Sequence, residues 1–220
     1  LDMLDLSVLN DRTSIWISLS GGTDTAALFY LVTKYIYDNN LDVKVTPWCC
    51  VDVTRPGNDK IATNITNAVK ARIPIDIEDP IFRYFEKEPG GDKPSLTRPF
   101  YEEMRSSGLY DCYIDALSAS PTIKDMKSYP GFLEAFERVW PENRLPGQNL
   151  PTTYWDNDFL TFKPYINKDK KFIAEIYEKE DLMDDIFPLT QSCVGRGITP
   201  CMNCFWCYEK HWAFGLYDLV

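Results

Sequence analysis

The stretch that decides the fold is Ser14-Ile15-Trp16-Ile17-Ser18-Leu19, followed by Ser20-Gly21-Gly22-Thr23-Asp24-Thr25 and then Ala26-Ala27-Leu28-Phe29-Tyr30-Leu31-Val32. It reads as a buried strand, a glycine turn and a helix running roughly from Thr25 to Asn39, with Asp24 or Thr25 placed to cap the helix start. Two adjacent glycines open backbone conformations closed to other residues, so consecutive N–H groups can converge on an anion. The positive end of the helix dipole adds to that pull, which suits a phosphate or pyrophosphate. The Gly-Lys-Ser/Thr ending of a Walker A loop is absent.

Outward from this unit the chain alternates between apolar runs and amphipathic stretches. Val43–Val53 is rich in strand formers, with Pro47 marking a break or bulge. Asn58–Arg72 has helical spacing through Ile61, Ile65, Ala68 and Val69. Ile73–Ile77 and Tyr113–Leu117 read as short strands, and Glu86–Pro99, with Gly90, Gly91 and three prolines, as an exposed loop. Phe132–Val139 reads as a short helix and Asp169–Glu180 as a longer amphipathic one. This pattern predicts an α/β fold with a mainly parallel sheet and helices on both faces. The Ser20–Thr25 turn then lies at a strand's carboxyl end, where such sheets bind ligands. Residues 1–160 read as the nucleotide-binding α/β domain, and 161–220 as a helical metal-bearing segment packed on it.

At the other end, Cys193, Cys201, Cys204 and Cys207 place four of seven cysteines within fifteen residues, spaced C-x7-C-x2-C-x2-C. Four thiolates at this spacing suit a tetrahedral Zn²⁺ or an iron–sulfur cluster, so the spacing names a metal site and not a metal. His211, the only histidine, is superfluous to a site already filled by four sulfurs. Cys49-Cys50 and Cys112 read as small buried hydrophobes. The aromatic run from Phe205 to Phe214 reads as packing around the metal.

Composition is that of a globular chain of 220 residues, 45% hydrophobic and 25% charged. Apolar runs are too short to cross a bilayer, and no stretch reads as a signal peptide. Seven cysteines without one suggest a reducing, cytoplasmic setting. A net charge of −10 opposes non-specific binding to nucleic acid or anionic membranes. The oligomeric state is open; a homodimer is among the arrangements allowed.

Taken together, the two ends resemble a known family. Ser20-Gly21-Gly22-Thr23-Asp24-Thr25 is similar to the pyrophosphate loop (PP-loop) of the N-type ATP pyrophosphatases, usually Ser-Gly-Gly-x-Asp-Ser. Ser192-Cys193, then Pro200-Cys201-x-x-Cys204-x-x-Cys207 and Ala213-Phe214, resembles the zinc segment of the 7-cyano-7-deazaguanine synthase branch. That branch makes a precursor of queuosine and of modified bases in some phage DNA. Pro164–Ile176 resembles its lysine-bearing helix, and Tyr129-Pro130 the start of its substrate loop. The resemblance implies ATP bound by Ser20, Gly21, Gly22, Thr23, Asp24 and Thr25, and catalytic roles for Asp24 and Lys170. It also implies substrate contacts from Tyr129 and Arg196, with Lys163 a further candidate phosphate partner beside Lys170 and Arg196. Structural Zn²⁺ would sit on the four cysteines, and Mg²⁺ would accompany ATP. The implied reaction converts a carboxylate and ammonia to an amide and then a nitrile, in the cytoplasm of a bacterium or phage-infected host. Departures are specific: Thr25 replaces serine, Met202 a common glycine and Lys210 a common arginine. Gly131, Phe132 and Leu133 stand where the family continues into Asp-Cys-Arg, so two polar groups suited to a purine-like ring are absent. A PP-loop enzyme acting on another nucleotide, by thiolation or amidation, and a non-catalytic zinc-bearing relative are the alternatives to that substrate.

Overall fold

The structure, a computed structural model, describes residues 3–54, 57–86, 93–129, 144–195 and 199–218. Its sheet has six strands in the order β3-β2-β1-β4-β6-β5. These are β1 (Ser14–Ser18), β2 (Lys44–Asp52), β3 (Ile81–Phe85), β4 (Cys112–Ile114), β5 (Thr153–Asp156) and β6 (Phe159–Phe162). All neighbouring pairs are parallel except β5 with β6. Strand β1 lies at the centre because Ile15, Trp16 and Ile17 are apolar in succession, so both of its faces can be covered.

Side-chain alternation along β1 separates two cores. Ile15 and Ile17 face the main core, shared with α1 (Thr23–Asp38), α2 (Asn58–Arg72) and α5 (Lys170–Lys179). Trp16 faces the other way, into an aromatic cluster with Trp48, Tyr110 and Tyr113 that α3 (Lys93–Ser106) covers through Met104, Phe100 and Tyr101. Trp16 and Trp48 stack with ring centroids 5.5 Å apart. Helices therefore lie on both faces. A single helical turn, α4 (Ile123–Met126), packs against α6 (Phe205–Phe214) near the chain's end, and α6 in turn packs against α5.

Several local readings change. The third strand is Ile81–Phe85 and not Ile73–Ile77, which contributes only a bridge from Ile77 to Val45. Pro74 removes a ladder donor from the earlier run, whereas Ile-Phe-Arg-Tyr-Phe offers four strand formers in five residues and no proline. The strand read at Tyr113–Leu117 is Cys112–Ile114. The proline-rich segment becomes helical from Lys93 and carries Pro99 inside α3; residues 87–92 are outside the described residues. The β5–β6 hairpin is unforeseen, although Asn157-Asp158 between aromatic runs is hairpin chemistry and Asn157 takes φ +55°. The helix read at Phe132–Val139 lies outside the described residues. Among the described residues no helix is long and apolar enough to cross a membrane.

Candidate active site and metal centre

The chain runs outward from β1 to β2 and β3, then returns to β4 on the other side of β1. This reversal leaves a crevice at the carboxyl ends of β1 and β4, the position where open α/β sheets bind ligands. A cleft of about 1,100 Å³ opens there, between Ser18 and Ser20 after β1, Trp48 and Cys50 on β2, Asp115 after β4, and Arg98 of α3. Lys163 also lines it, with Nζ 5.5 Å from the Tyr154 ring. Cys50 is half-buried and lines the cleft; Cys49 is buried in the main core yet also contributes to that lining, and Cys112 is a core residue whose thiol burial pushes up.

The glycine turn meets this cleft through Ser20. Helix α1 starts at Thr23, two residues earlier than its sequence suggests, and its cap is Gly22 with no side-chain cap bond. Neither expected cap serves that purpose. The Thr25 hydroxyl donates to Gly22 O at 3.1 Å, and Asp24 is held by Lys170. Among the described residues no side chain caps the first-turn amides, an arrangement that leaves such groups able to receive an anion. Ser20 Oγ and Thr25 Oγ1 lie 3.3 Å apart. Gly21 has φ +87°, and a Cβ there would meet Ile61 Cγ2 at 2.6 Å. At Gly22 a Cβ would come no closer than 3.7 Å to Ser20 Oγ.

The two glycines should therefore separate under mutation. Gly21→Ala is expected to lower stability by about 2 kcal/mol or more, the left-handed penalty plus the clash. Gly22→Ala, whose methyl would meet only Ser20 Oγ at an ordinary 3.7 Å, should fold normally, and its effect on ATP affinity tests the phosphate-binding role expected of the turn. Thermal unfolding together with ATP titration of both variants checks this.

Behind the turn lies a closed ring of charged and polar groups. Lys170, at the start of α5 just after the cap Asp169, places Nζ 2.7 and 2.8 Å from the two Asp24 oxygens. It also reaches Glu209 Oε2 at 3.4 Å. Arg144 Nη2 approaches the other Glu209 oxygen at 3.6 Å, and its Nε donates to Ser118 O at 2.7 Å. Ser118 Oγ donates back to Asp24 at 3.2 Å. Burial would strip the proton from Lys170, but Asp24 and Glu209 more than offset it and hold its pKa above the usual lysine value. Burial pushes the Glu209 carboxyl up despite Lys170 and Arg144. Sequence reading finds Asp24 and Lys170 but misses Ser118, Arg144 and Glu209. The one available signal was Glu209-Lys210, two charges within the aromatic run of α6.

The four cysteines form the second centre. Their sulfurs all lie within 4.8 Å of one another, with Cys201 and Cys207 3.9 Å apart. A tetrahedral ion with metal–sulfur bonds of about 2.3 Å sets its ligands about 3.8 Å apart, so the group fits one. The amides of Gly195 and Cys201 donate to Cys193 Sγ at 3.3 and 3.2 Å, as backbone does toward a thiolate. A hydrogen bond from Cys207 holds the Cys204 thiol down at about 5. Asp218 secures the segment by accepting from Ser192 N and Cys193 N while pairing with buried Lys210 at 2.7 Å. Gln191 N donates to Gly21 O at 2.9 Å, joining the metal segment to the glycine turn.

Comparison with solved structures places the architecture. The U34-tRNA thiolase NcsA from Methanococcus maripaludis, solved with its [4Fe-4S] cluster, is matched with a TM-score of 0.53 and 11% identity, over 96% of this chain and 68% of that one. The fold is that of the adenine nucleotide alpha hydrolases. NMN synthetase from Francisella tularensis is matched more loosely, with a TM-score of 0.42 and 14% identity over 100% of this chain and 84% of its own. NAD+ synthetase from Burkholderia pseudomallei gives 0.40 and 10% over 97% and 79%. No protein-family model matches the sequence, and no curated protein is significantly similar to it.

The other expected site residues are placed as follows. Tyr129 sits against α6, its hydroxyl 2.8 Å from His211 Nδ1, and His211 stacks on Tyr217. Tyr129 is therefore part of an aromatic cluster with Tyr208 and is not among the residues lining the cleft. Arg196 and the Gly131–Leu133 departure lie outside the described residues.

Proposed function

We propose that the chain is a PP-loop ATP pyrophosphatase that activates a carboxylate for amidation, with 7-carboxy-7-deazaguanine as its substrate and the nitrile as its end product. The observation that carries the reading is the uncapped glycine turn at the end of β1, backed by the Asp24–Lys170 pair and opening on the cleft. A carboxylate resists attack by ammonia because its charge repels nucleophiles and its oxygen leaves badly. Its attack on the α-phosphorus of ATP forms an acyl-adenylate and releases pyrophosphate. Ammonia then displaces AMP, giving the amide, and a second ATP converts the amide to the nitrile with release of another AMP and pyrophosphate.

In this reading Gly21, Gly22 and Thr23 present backbone N–H groups to the departing pyrophosphate, and Ser20 and Thr25 add hydroxyl donors. Lys170 supplies positive charge from a buried position, where it is worth more than in water. Asp24, a hard oxygen ligand, would hold Mg²⁺, which neutralises phosphate charge when bound. The four cysteines would hold one Zn²⁺ in a structural role, because all four positions are filled by protein.

A thiolase, as the NcsA structure is described, is the second reading. Two observations favour amidation over it. Sulfurs packed within 4.8 Å suit a single ion, whereas a four-iron cube spreads its cysteines farther apart. The net charge of −10 is unfavourable to a tRNA substrate. Incubation with Mg-ATP, ammonium and 7-carboxy-7-deazaguanine should yield AMP and pyrophosphate together with the nitrile. ADP and phosphate would refute the PP-loop reading, whereas AMP formed only with another carboxylate would refute the named substrate alone.

A further inference from the structure

The charged ring contains one member with no counterpart in the proposed chemistry. Glu209 is 1% exposed, and among the described residues neither of its oxygens has a well-aligned hydrogen-bond donor. The cations facing it, Lys170 at 3.4 Å and Arg144 at 3.6 Å, stand within ion-pair range but too far or too poorly aligned to bond. A buried carboxylate in this condition is costly, and native proteins retain such groups where something else depends on them. Lys170, by contrast, spends its closest contacts on Asp24, at 2.7 and 2.8 Å.

We propose that Glu209 is a positioning residue, the alternate partner that receives Lys170 when a nucleotide draws Asp24 away. The inference rests on the PP-loop reading, in which Asp24 turns to the nucleotide and its cation. That turn would leave the Lys170 ammonium, 4% exposed, without its nearest counter-charge. A buried cation that loses its partner is strongly disfavoured. Glu209 Oε2 already stands 3.4 Å from Nζ and needs only a small approach to take over the ion pair. Arg144 balances the second Glu209 oxygen, so the carboxylate stays charged and in place while Lys170 exchanges partners. Glu209 also follows Cys207 by two residues on α6, so the metal segment fixes where that partner stands.

The sign of the effect separates this role from simple electrostatics. Removing a negative charge near a phosphate site should by itself tighten anion binding. Loss of an alternate partner should weaken it, because Lys170 would then hold on to Asp24 and keep that carboxylate from the nucleotide and its cation. The test titrates the metal-loaded full chain with Mg²⁺ and α,β-methylene-ATP by calorimetry, with adenosine as a control lacking phosphates. Glu209→Gln should bind the analogue about tenfold more weakly, the effect of one charged hydrogen bond, with adenosine binding unchanged. Glu209→Asp, which keeps the charge, should recover part of the loss. The charge-balanced double variant Glu209→Gln/Arg144→Gln guards against simple misfolding and should show the same weakening with metal content intact. Equal or tighter analogue binding by the folded variants would overturn the positioning role. Failure of the parent chain to bind the analogue at all would overturn the PP-loop reading beneath it, so the two failures are distinct.

Discussion

Cys204→Ser is expected to weaken metal binding and to cost about 3–4 kcal/mol of stability, roughly one ligand's share of the ~10–16 kcal/mol that structural zinc contributes in small domains. For a chain of 220 residues this corresponds to a fall in Tm of about 10 °C. The loss should be large because Cys204 is one of the four clustered sulfurs and stands at the start of α6, the helix that carries Cys207, Glu209 and Lys210. Loosening it would release Asp218 from Lys210 and from the amides of Ser192 and Cys193. Metal analysis and thermal unfolding of parent and variant decide the matter. A variant with full metal content and an unchanged Tm would mean that the four sulfurs do not form one site.

Asp24→Ala is expected to cut the rate of AMP formation by about 10³-fold or more, the scale of losing a preorganised group at the reacting phosphates. The fold should survive. Removing one partner of a buried ion pair ordinarily costs about 3–5 kcal/mol, but here Glu209 remains beside Lys170 to share its charge. The expected signature is therefore a large kinetic loss with metal content intact and Tm lowered by no more than a few degrees. Steady-state assay of AMP, alongside circular dichroism, measures both. Activity above a tenth of the parent's would remove Asp24 from the reacting centre.

Much of the fold is legible in the residues because local and global signals agree. Ile15-Trp16-Ile17 is apolar without a break, so it must be buried on both faces, and the glycines after it admit only a tight turn into α1. The four cysteines are legible for a similar reason: their ligand spacing is short enough to be local. Segments whose signals conflict read less well. Pro94 and Pro99 suggest a loop, yet α3 runs through them, since the aromatic cluster under Phe100, Tyr101 and Met104 outweighs the missing hydrogen bond at Pro99. Nothing in the local sequence separates Ile73–Ile77 from Ile81–Phe85 except one proline and the length of the apolar run.

The site divides along the same line. Asp24 was legible because it sits inside a motif, and Lys170 because its helix has a recognisable surround. Ser118, Arg144 and Glu209 were not, because a serine, an arginine or a glutamate carries no mark of burial in its own neighbourhood. Only the topology, which brings the segment after β4 and helix α6 to the same crevice, makes them neighbours of Asp24.

The bond from Gln191 N to Gly21 O, like the contact of Lys170 with Asp24 across 146 residues, has a consequence for biosynthesis. During translation the glycine turn is made before Lys170, Gln191 and Glu209, the groups that brace it from later in the sequence. Lys170, Gln191, Glu209 and the four cysteines follow Asp24 by 146 residues or more. A nascent chain thus carries the turn before the groups that hold it in place, and on the proposed reading the cysteine site forms only after the turn has already been made.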